Sequence, residues 1–465
     1  MSKYGWLLAT ILFLTSCKTA TFQFLRHYKP NITDYKLFNS EKFSPDTNPH
    51  QFPSTANITL PDPYLWVQDE KISANWCATD LFEKKNSTAF LVIKNDSLVY
   101  EWYGNGYARD KYSQVFSVTK SWTSALIGIA INEGYIKSVH QPVVDYFPEF
   151  DDYDSSKKDI TLYHLLNMTS GLKFNDYKTL AQLSKLYYCD GSNEQACKIE
   201  AKYKPGEVWE YKSVSTLVLG RILEKATGKK VAEYLREKLW EPLQMENNGL
   251  LTEDDSGVAK TYCGLSITAI DLAKFGQLYL HKGNWNGQQL VPEAWVDSLR
   301  NRDFSHGVWN YSYQWWLDTY PRKAKYKAND FFAGGYKGQM CYVNPDENLV
   351  IVRLGKSEGG VNWPTSLSKL AILLSQPKGV DAEKWLAEVS GDYETEKGKS
   401  KMKVRLNDNN VVIEKNNEQY ILTRENKYSY TDLKHNIKLI LNTKDVLHGF
   451  FLEQGDDVQY FHKAM

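Results

Sequence analysis

The chain predicts an α+β fold with an antiparallel sheet flanked by helices. Two observations carry this. Strand-like runs occur early, near residue 90, and again late, near 340 to 354, while the stretch between them is mostly helical in pattern. No strand–helix repeat appears, so the sheet must close between distant parts of the chain rather than through βαβ units.

Taken in order, Thr88 to Lys94 and Leu98 to Tyr103 are β-rich and separated by Asn95-Asp96-Ser97, a hairpin signal. Trp122, Ala125, Leu126, Ile129 and Ala130 follow helical spacing, and Gly134 ends the run. Ile160 to Met168 predicts a second apolar helix closed by Thr169-Ser170-Gly171. Leu217 to Ala226 predicts a third, stopped at Gly228, and Val231 to Leu239 and Ile267 to Tyr279 two more. Tyr313 to Leu317, Gln339 to Val343 and Leu349 to Leu354 read as strands, and Leu370 to Leu374 as a closing helix. From about Gly391 the pattern becomes charged and alternating (Met402, Val404, Leu406; then Val411, Ile413), which predicts a small all-β module.

The domain reading that follows is 1–17 leader, 18–75 tether and irregular arm, 76–380 main domain and 381–465 β-rich module. In the leader, Lys3 supplies charge, and Trp6 to Leu14 is apolar but too short for a permanent span. It ends in Leu14-Thr15-Ser16-Cys17, which resembles the lipobox of bacterial lipoproteins. That resemblance implies lipidation of Cys17 and a body anchored at a bacterial cell envelope, facing the periplasm or exposed at the surface.

Lys plus Arg and Asp plus Glu both number 56, a zero net charge that argues against a nucleic-acid binder. The aromatic content is 14%, which suits sites for amphipathic or amide ligands as well as packing. Beyond Cys17 five cysteines remain, an odd number. Cys189 and Cys197 flank a polar loop, and the sequence leaves a disulfide between them open. No cysteine or histidine spacing suits a metal.

The stretch Phe116-Ser117-Val118-Thr119-Lys120 is the most informative. Ser117 and Lys120 share one face at the start of an apolar helix. A free lysine titrates at about 10.4. Desolvated, its amine could be neutral, take the serine proton and make the hydroxyl a nucleophile. The spacing alone selects nothing, since Ser-x-x-Lys also begins at Ser155, Ser170, Ser366, Ser375 and Ser400. What sets Ser117 apart is its context: an aromatic before it, a helix after it and two partner motifs downstream. Tyr211-Lys212-Ser213 follows the turn Pro205-Gly206 and could relay a proton. Gly334-Gly335-Tyr336-Lys337-Gly338-Gln339 could bring a backbone N–H close to a ligand. The N–H of Gln339 and that of Ser117 would form an oxyanion hole. Alone, the tyrosine also suits packing and the glycines a plain turn.

Together these residues resemble the serine β-lactamase and DD-peptidase superfamily, whose motifs are Ser-x-x-Lys, Tyr-x-Asn and Lys-Thr-Gly or a variant. Ser117-Val118-Thr119-Lys120, Tyr211-Lys212-Ser213 and Tyr336-Lys337-Gly338 match in order and spacing, and the likeness runs over about residues 80 to 378. Cys263-Gly264-Leu265-Ser266, Tyr313-Gln314-Trp315-Trp316 and Gly338-Gln339 are most similar to the esterase and 6-aminohexanoate-dimer hydrolase branch. The resemblance implies a sheet flanked by helices, a mostly helical subdomain and a site between them. It implies acylation of Ser117, then hydrolysis, with no cofactor and a small ester, amide or peptide substrate. Ser213, Tyr336, Lys337 and Gly338 become substrate-holding candidates. Two departures bear on this. Ser213 replaces an asparagine, and Tyr336 replaces the cation that engages a β-lactam carboxylate, with Lys337 expected on the opposite strand face. The readings carried forward are an ester or amide hydrolase, a peptidoglycan or D-amino-acid peptidase or weak β-lactamase, and a wall-fragment-binding lipoprotein on a retired scaffold.

Overall fold

The computed structural model describes residues 29–61, 63–67, 76–176, 182–299, 310–317 and 329–374, and beyond them strand residues between 391 and 463. The leader and Cys17 lie outside the described residues. In chain order the strands are β1 (Asn39–Phe43), β2 (Ser87–Lys94), β3 (Ser97–Tyr103), β4 (Ser113–Gln114), β5 (Gly249–Glu253), β6 (Leu265–Ile267), β7 (Asn284–Trp285), β8 (Gln288–Gln289), β9 (Tyr311–Ser312), β10 (Trp315–Leu317), β11 (Phe331–Gly335), β12 (Gln339–Asn344) and β13 (Leu349–Gly355).

The main sheet has seven strands in the order β3-β2-β13-β12-β11-β10-β9, and its neighbours pair antiparallel. The early hairpin joins the late strands through β2 and β13, with Lys94 opposite Leu349. This is the distant closure the strand runs predict. Successive side chains leave a strand on opposite faces. Leu91, Ile93, Cys341, Val343, Val350 and Val352 enter one core, beneath the helices Thr119–Asn132 and Ala269–Leu280. Phe90, Val92, Tyr342 and Ile351 enter a second core, against the helix Trp363–Leu374. Burial on both faces explains why β2, β12 and β13 are nearly continuous apolar runs rather than alternating ones.

The helix Thr119–Asn132 is buried on every side from Thr119 to Ala130. Trp122 stacks on Phe275 of the facing helix at 4.1 Å. Gly276 lets that second helix lie on the sheet: a Cβ there would come within 2.6 Å of Val350 Cγ1 and 2.8 Å of Cys341 Sγ.

Several short elements depart from the expected pattern. The run Ile160 to Met168 forms a helix only over Leu162–Leu166, because Met168 turns to φ 59°. His164 caps that helix, with Nδ1 accepting from Thr161 N at 3.1 Å. Val231 to Leu239 is α-helical to Leu235 and continues as a π-helical turn, Arg236–Trp240. Tyr313 and Gln314 are a two-residue turn rather than strand, with φ of 47° and 67°. The Gln314 amide holds that turn by donating to the Leu165 and Leu166 carbonyls at 3.0 and 2.9 Å.

The arm expected to be irregular is strand over Asn39–Phe43. It pairs with β5 in a second sheet, β1-β5-β6-β4. Phe43 is its one buried residue, packed on Trp240 at 5.0 Å, so no periodicity marks it. Cys189 and Cys197 are not bridged. The C-terminal module closes into an antiparallel barrel of eight strands, from β14 (Gly391–Glu394) to β21 (Asp457–Lys463), with β21 pairing back onto β14.

Gly276→Ala sets helix propensity against packing. The alanine gains about 1 kcal/mol as a helix former. Its methyl meets two fully buried neighbours that cannot yield, and overpacking costs about 1–3 kcal/mol. The expected net effect is destabilisation of about 1 kcal/mol, read as a lower urea midpoint with unchanged slope.

Candidate active site

Ser117 lies on a 3-10 turn, Phe116–Val118, that runs directly into the helix Thr119–Asn132. β4, just before it, pairs with β6, and the Leu265 amide donates to Thr119 Oγ1 at 3.1 Å. Phe116 takes φ 48°, a left-handed conformation costly for a bulky residue. Its ring is buried and meets Tyr336 edge-on at 5.5 Å.

Lys120 Nζ lies 2.9 Å from Ser117 Oγ and donates to the Tyr262 carbonyl, also at 2.9 Å. The amine sits 5.0 Å from the Tyr211 ring centre. Burial lowers its pKa to about 8, against a smaller upward pull from Asp176. Burial raises the Tyr211 pKa above the usual phenol range, against a smaller downward pull from the nearby Ser117 hydroxyl. The same desolvation therefore favours a neutral amine and a neutral phenol. A neutral amine can accept a proton and a neutral phenol can pass one on. Tyr211 is held by stacking on Trp316 at 5.6 Å and an edge contact with Tyr311 at 5.8 Å.

The three tips expected to converge do so. The substrate-holding candidates behave differently. Ser213 is buried, and its hydroxyl donates to Asp176 Oδ2 at 2.7 Å, while its N–H reaches both carboxylate oxygens at 3.1 and 3.0 Å. Its hydroxyl proton is thus committed within the protein. Lys337 is not on a strand: Tyr336–Gly338 is a tight turn with Lys337 at φ 65°. The strand-alternation argument for Lys337 fails for that reason, and its amine donates to the Lys356 carbonyl at 3.1 Å. Tyr336 is 44% exposed beside Phe116. Gly338 is buried in the turn. The Gln339 side chain also stays inside, bridging the Tyr336 and Gly355 carbonyls at 3.2 and 2.6 Å, and its backbone starts β12 opposite Gly335 of β11.

Two participants were not legible beforehand. Asp176 is a buried carboxylate whose pKa is raised by desolvation and pulled back by Lys120 and by its hydrogen bonds from Ser213. It lies in a polar loop with no local motif. The Tyr262 contribution is a carbonyl, which carries no side-chain signature. Its neighbour Cys263 is buried with its thiol pushed up to about 12, so it adds no charge.

A serine and a lysine so placed, on a sheet flanked by helices, define a hydrolase site without metal-ligand geometry: among the described residues no His, Cys, Asp or Glu cluster could hold a metal. The chain belongs to the beta-lactamase family, whose model matches residues 79–365, and it is a serine hydrolase. It is 28% identical over 308 residues to the 6-aminohexanoate-dimer hydrolase of Paenarthrobacter ureafaciens, covering 61% of this chain and 74% of that protein. It is 26% identical over 172 residues to esterase EstB of Burkholderia gladioli, 34% of this chain and 43% of the esterase. A solved structure assigned to the 6-aminohexanoate-dimer hydrolases, from Bacillus anthracis, superposes with a TM-score of 0.62 at 22% identity, over 74% of this chain and 92% of that one.

Because the base must be neutral, kcat/KM is expected to rise with pH through about 8. Asp176→Asn removes a negative charge that favours the ammonium, so the Lys120 pKa falls and the rise moves to lower pH. A pH–rate profile of the variant checks this; an unmoved limb would show that Asp176 does not act on the lysine.

Proposed function

We propose that this protein hydrolyses small esters or amides through an acyl-enzyme on Ser117, and that it does so tethered to a bacterial envelope by a lipid on Cys17. The observation that carries the chemistry is the buried Lys120 amine 2.9 Å from Ser117 Oγ. The Leu14-Thr15-Ser16-Cys17 sequence supports the tether.

In the proposed course, neutral Lys120 takes the Ser117 proton as Oγ bonds to the substrate carbonyl carbon. The carbonyl electrons move to oxygen, and the N–H groups of Ser117 and Gln339 stabilise that oxyanion. The oxyanion collapses and expels the alcohol or amine, which receives the proton from Lys120 through Tyr211. Water then attacks the acyl carbon, giving a proton to the same pair; the Oγ–carbon bond breaks, the pair returns that proton to Ser117 Oγ, and the acid leaves. The residues supply every proton transfer, so no cofactor is needed. The relatives' names, an esterase and a hydrolase of an aminohexanoate dimer, favour ester and amide substrates.

A peptidase or β-lactamase activity is less well supported. An exposed Tyr336 stands where a cation would engage a carboxylate, and Lys337 is drawn to the Lys356 carbonyl.

A fluorophosphonate probe is expected to label Ser117, with short-chain esters or linear amides turned over and nitrocefin and D-Ala-D-Ala peptides hardly touched. Ser117→Ala is expected to lose labelling and about 10,000-fold in kcat. Equal labelling of the variant, or tight binding of a wall fragment without turnover, would overturn the reading.

A further inference from the structure

Two threonines flank Lys120 on its own helix. Thr123 is three residues beyond the lysine and four beyond Thr119, so the three side chains share a helix face. Threonine is a poor helix former, and a buried hydroxyl without a partner is costly. Both hydroxyls are buried, and both engage one segment, residues 260–265, which leads into β6. Thr123 Oγ1 donates to the Thr261 carbonyl at 2.9 Å, its nearer acceptor, with the helix's own Thr119 carbonyl at 3.2 Å. Thr119 Oγ1 accepts from the Leu265 N–H at 3.1 Å. Between these anchors lies the Tyr262 carbonyl, which accepts from Lys120 Nζ at 2.9 Å. The helix that carries the amine thus also holds the amine's acceptor, one residue before it and three residues after.

Other contacts fix the same segment. Thr261 Oγ1 donates to the Thr216 carbonyl of the helix Ser213–Thr227 at 2.9 Å, and a Cβ at Gly220 of that helix would fall 2.5 Å from Thr261 Cγ2. Tyr262 Oη donates to the Leu186 carbonyl at 2.9 Å. The Leu265 carbonyl accepts from Val115 N, also at 2.9 Å, so Leu265 is bonded both two residues before Ser117 and two residues after it.

A neutral lysine amine has two hydrogens and one lone pair on Nζ, and only the lone pair can take the serine proton. Unrestrained, the group turns about its Cε–Nζ bond, and any of the three can face Ser117 Oγ, 2.9 Å away. Giving one hydrogen to a fixed carbonyl leaves one hydrogen and the lone pair for the remaining directions. The restraint is only as good as the carbonyl's own position, and small misplacements of reacting groups are costly in rate.

We propose that Thr119 and Thr123 are positioning residues for the base: by pinning residues 261–265 to the helix that bears Lys120, they set the Tyr262 carbonyl so that the Lys120 lone pair is presented to Ser117. This rests on the reading of Lys120 as the base of an acyl-enzyme reaction at Ser117. Neither hydroxyl touches substrate, and both act through the carbonyl.

The test compares the full-length enzyme with Thr123→Val and Thr123→Ser. Valine keeps the branched shape and loses the hydroxyl, while serine keeps the hydroxyl. A chromogenic short-chain ester gives kcat and KM. The rate of fluorophosphonate labelling reports activation of Ser117 without the ester, and its end point counts active sites. In Thr123→Val, kcat per site is expected to fall about 10- to 100-fold. The labelling rate should fall in parallel, and KM should change less than about 3-fold, because the ground-state complex does not use the lone pair. Thr123→Ser should restore both rates to within about 3-fold of the wild type. Should Thr123→Val fail to fold, Thr119→Val with Thr119→Ser carries the same expectation at the other anchor. Unchanged kcat and labelling rate in a folded valine variant would overturn the proposal. So would an equal loss in the serine variant, or a loss seen only in KM or only in the count of active sites. A wild-type enzyme that neither labels nor turns over would instead sink the acyl-enzyme reading.

Discussion

The site depends on holding one amine out of water. Lys120 lies on a helix buried on all sides, and the loss of hydration is what lowers its pKa to about 8. Relative to an ordinary lysine at about 10.4, that raises the neutral fraction at pH 7 by more than a hundredfold. Desolvation acts on Tyr211 with the opposite sign, because its charged form is the deprotonated one. One environment thus shifts both groups toward their neutral forms. Asp176 works against the lysine effect, and it is itself restrained by three hydrogen bonds from Ser213. The residue that replaces the second motif's asparagine therefore anchors a buried carboxylate.

The surroundings of the catalytic tips are aromatic rather than cationic. Trp209, Tyr311 and Trp316 gather around Tyr211, and Phe116 meets Tyr336 on the other side of Ser117. The cationic group of the third-motif region, Arg353, is turned inward against Trp363 and backbone carbonyls. Such surroundings would suit uncharged acyl groups, in keeping with the ester or amide substrates proposed above.

Legibility followed burial. The strands β2, β12 and β13 and the helices behind Ser117 and before Gly228 were readable because each is long and packed into a core, so hydrophobic content marked them directly. The pairs Tyr311–Ser312 and Ser113–Gln114, the π-helical turn after Leu235 and the arm strand Asn39–Phe43 were not. They are too short, or contribute too few buried residues, for periodicity to register, and partners distant in sequence decide them. At the site, Ser117, Lys120 and Tyr211 were readable because their side chains, in order and context, resemble the motifs of a known family; spacing alone did not single them out. Asp176 and the Tyr262 carbonyl were not, since neither belongs to a local pattern.

The amino-acid order by itself determined the α+β class, the pairing of Ser117 with Lys120 on one helical face, and Tyr211 as their third member. The first two follow from the hydrophobicity of single runs and from local spacing, and the third from the resemblance of Tyr211-Lys212-Ser213 to a family motif. Only the tertiary structure decided that the amine is dry, that Lys337 sits in a left-handed turn rather than on a strand face, that Ser213 serves Asp176, and that Arg353 spends all five donors on backbone and one hydroxyl. Each of these depends on which distant segments surround a group. Desolvation and hydrogen-bond partnership are properties of that surrounding volume, and no window of sequence contains it.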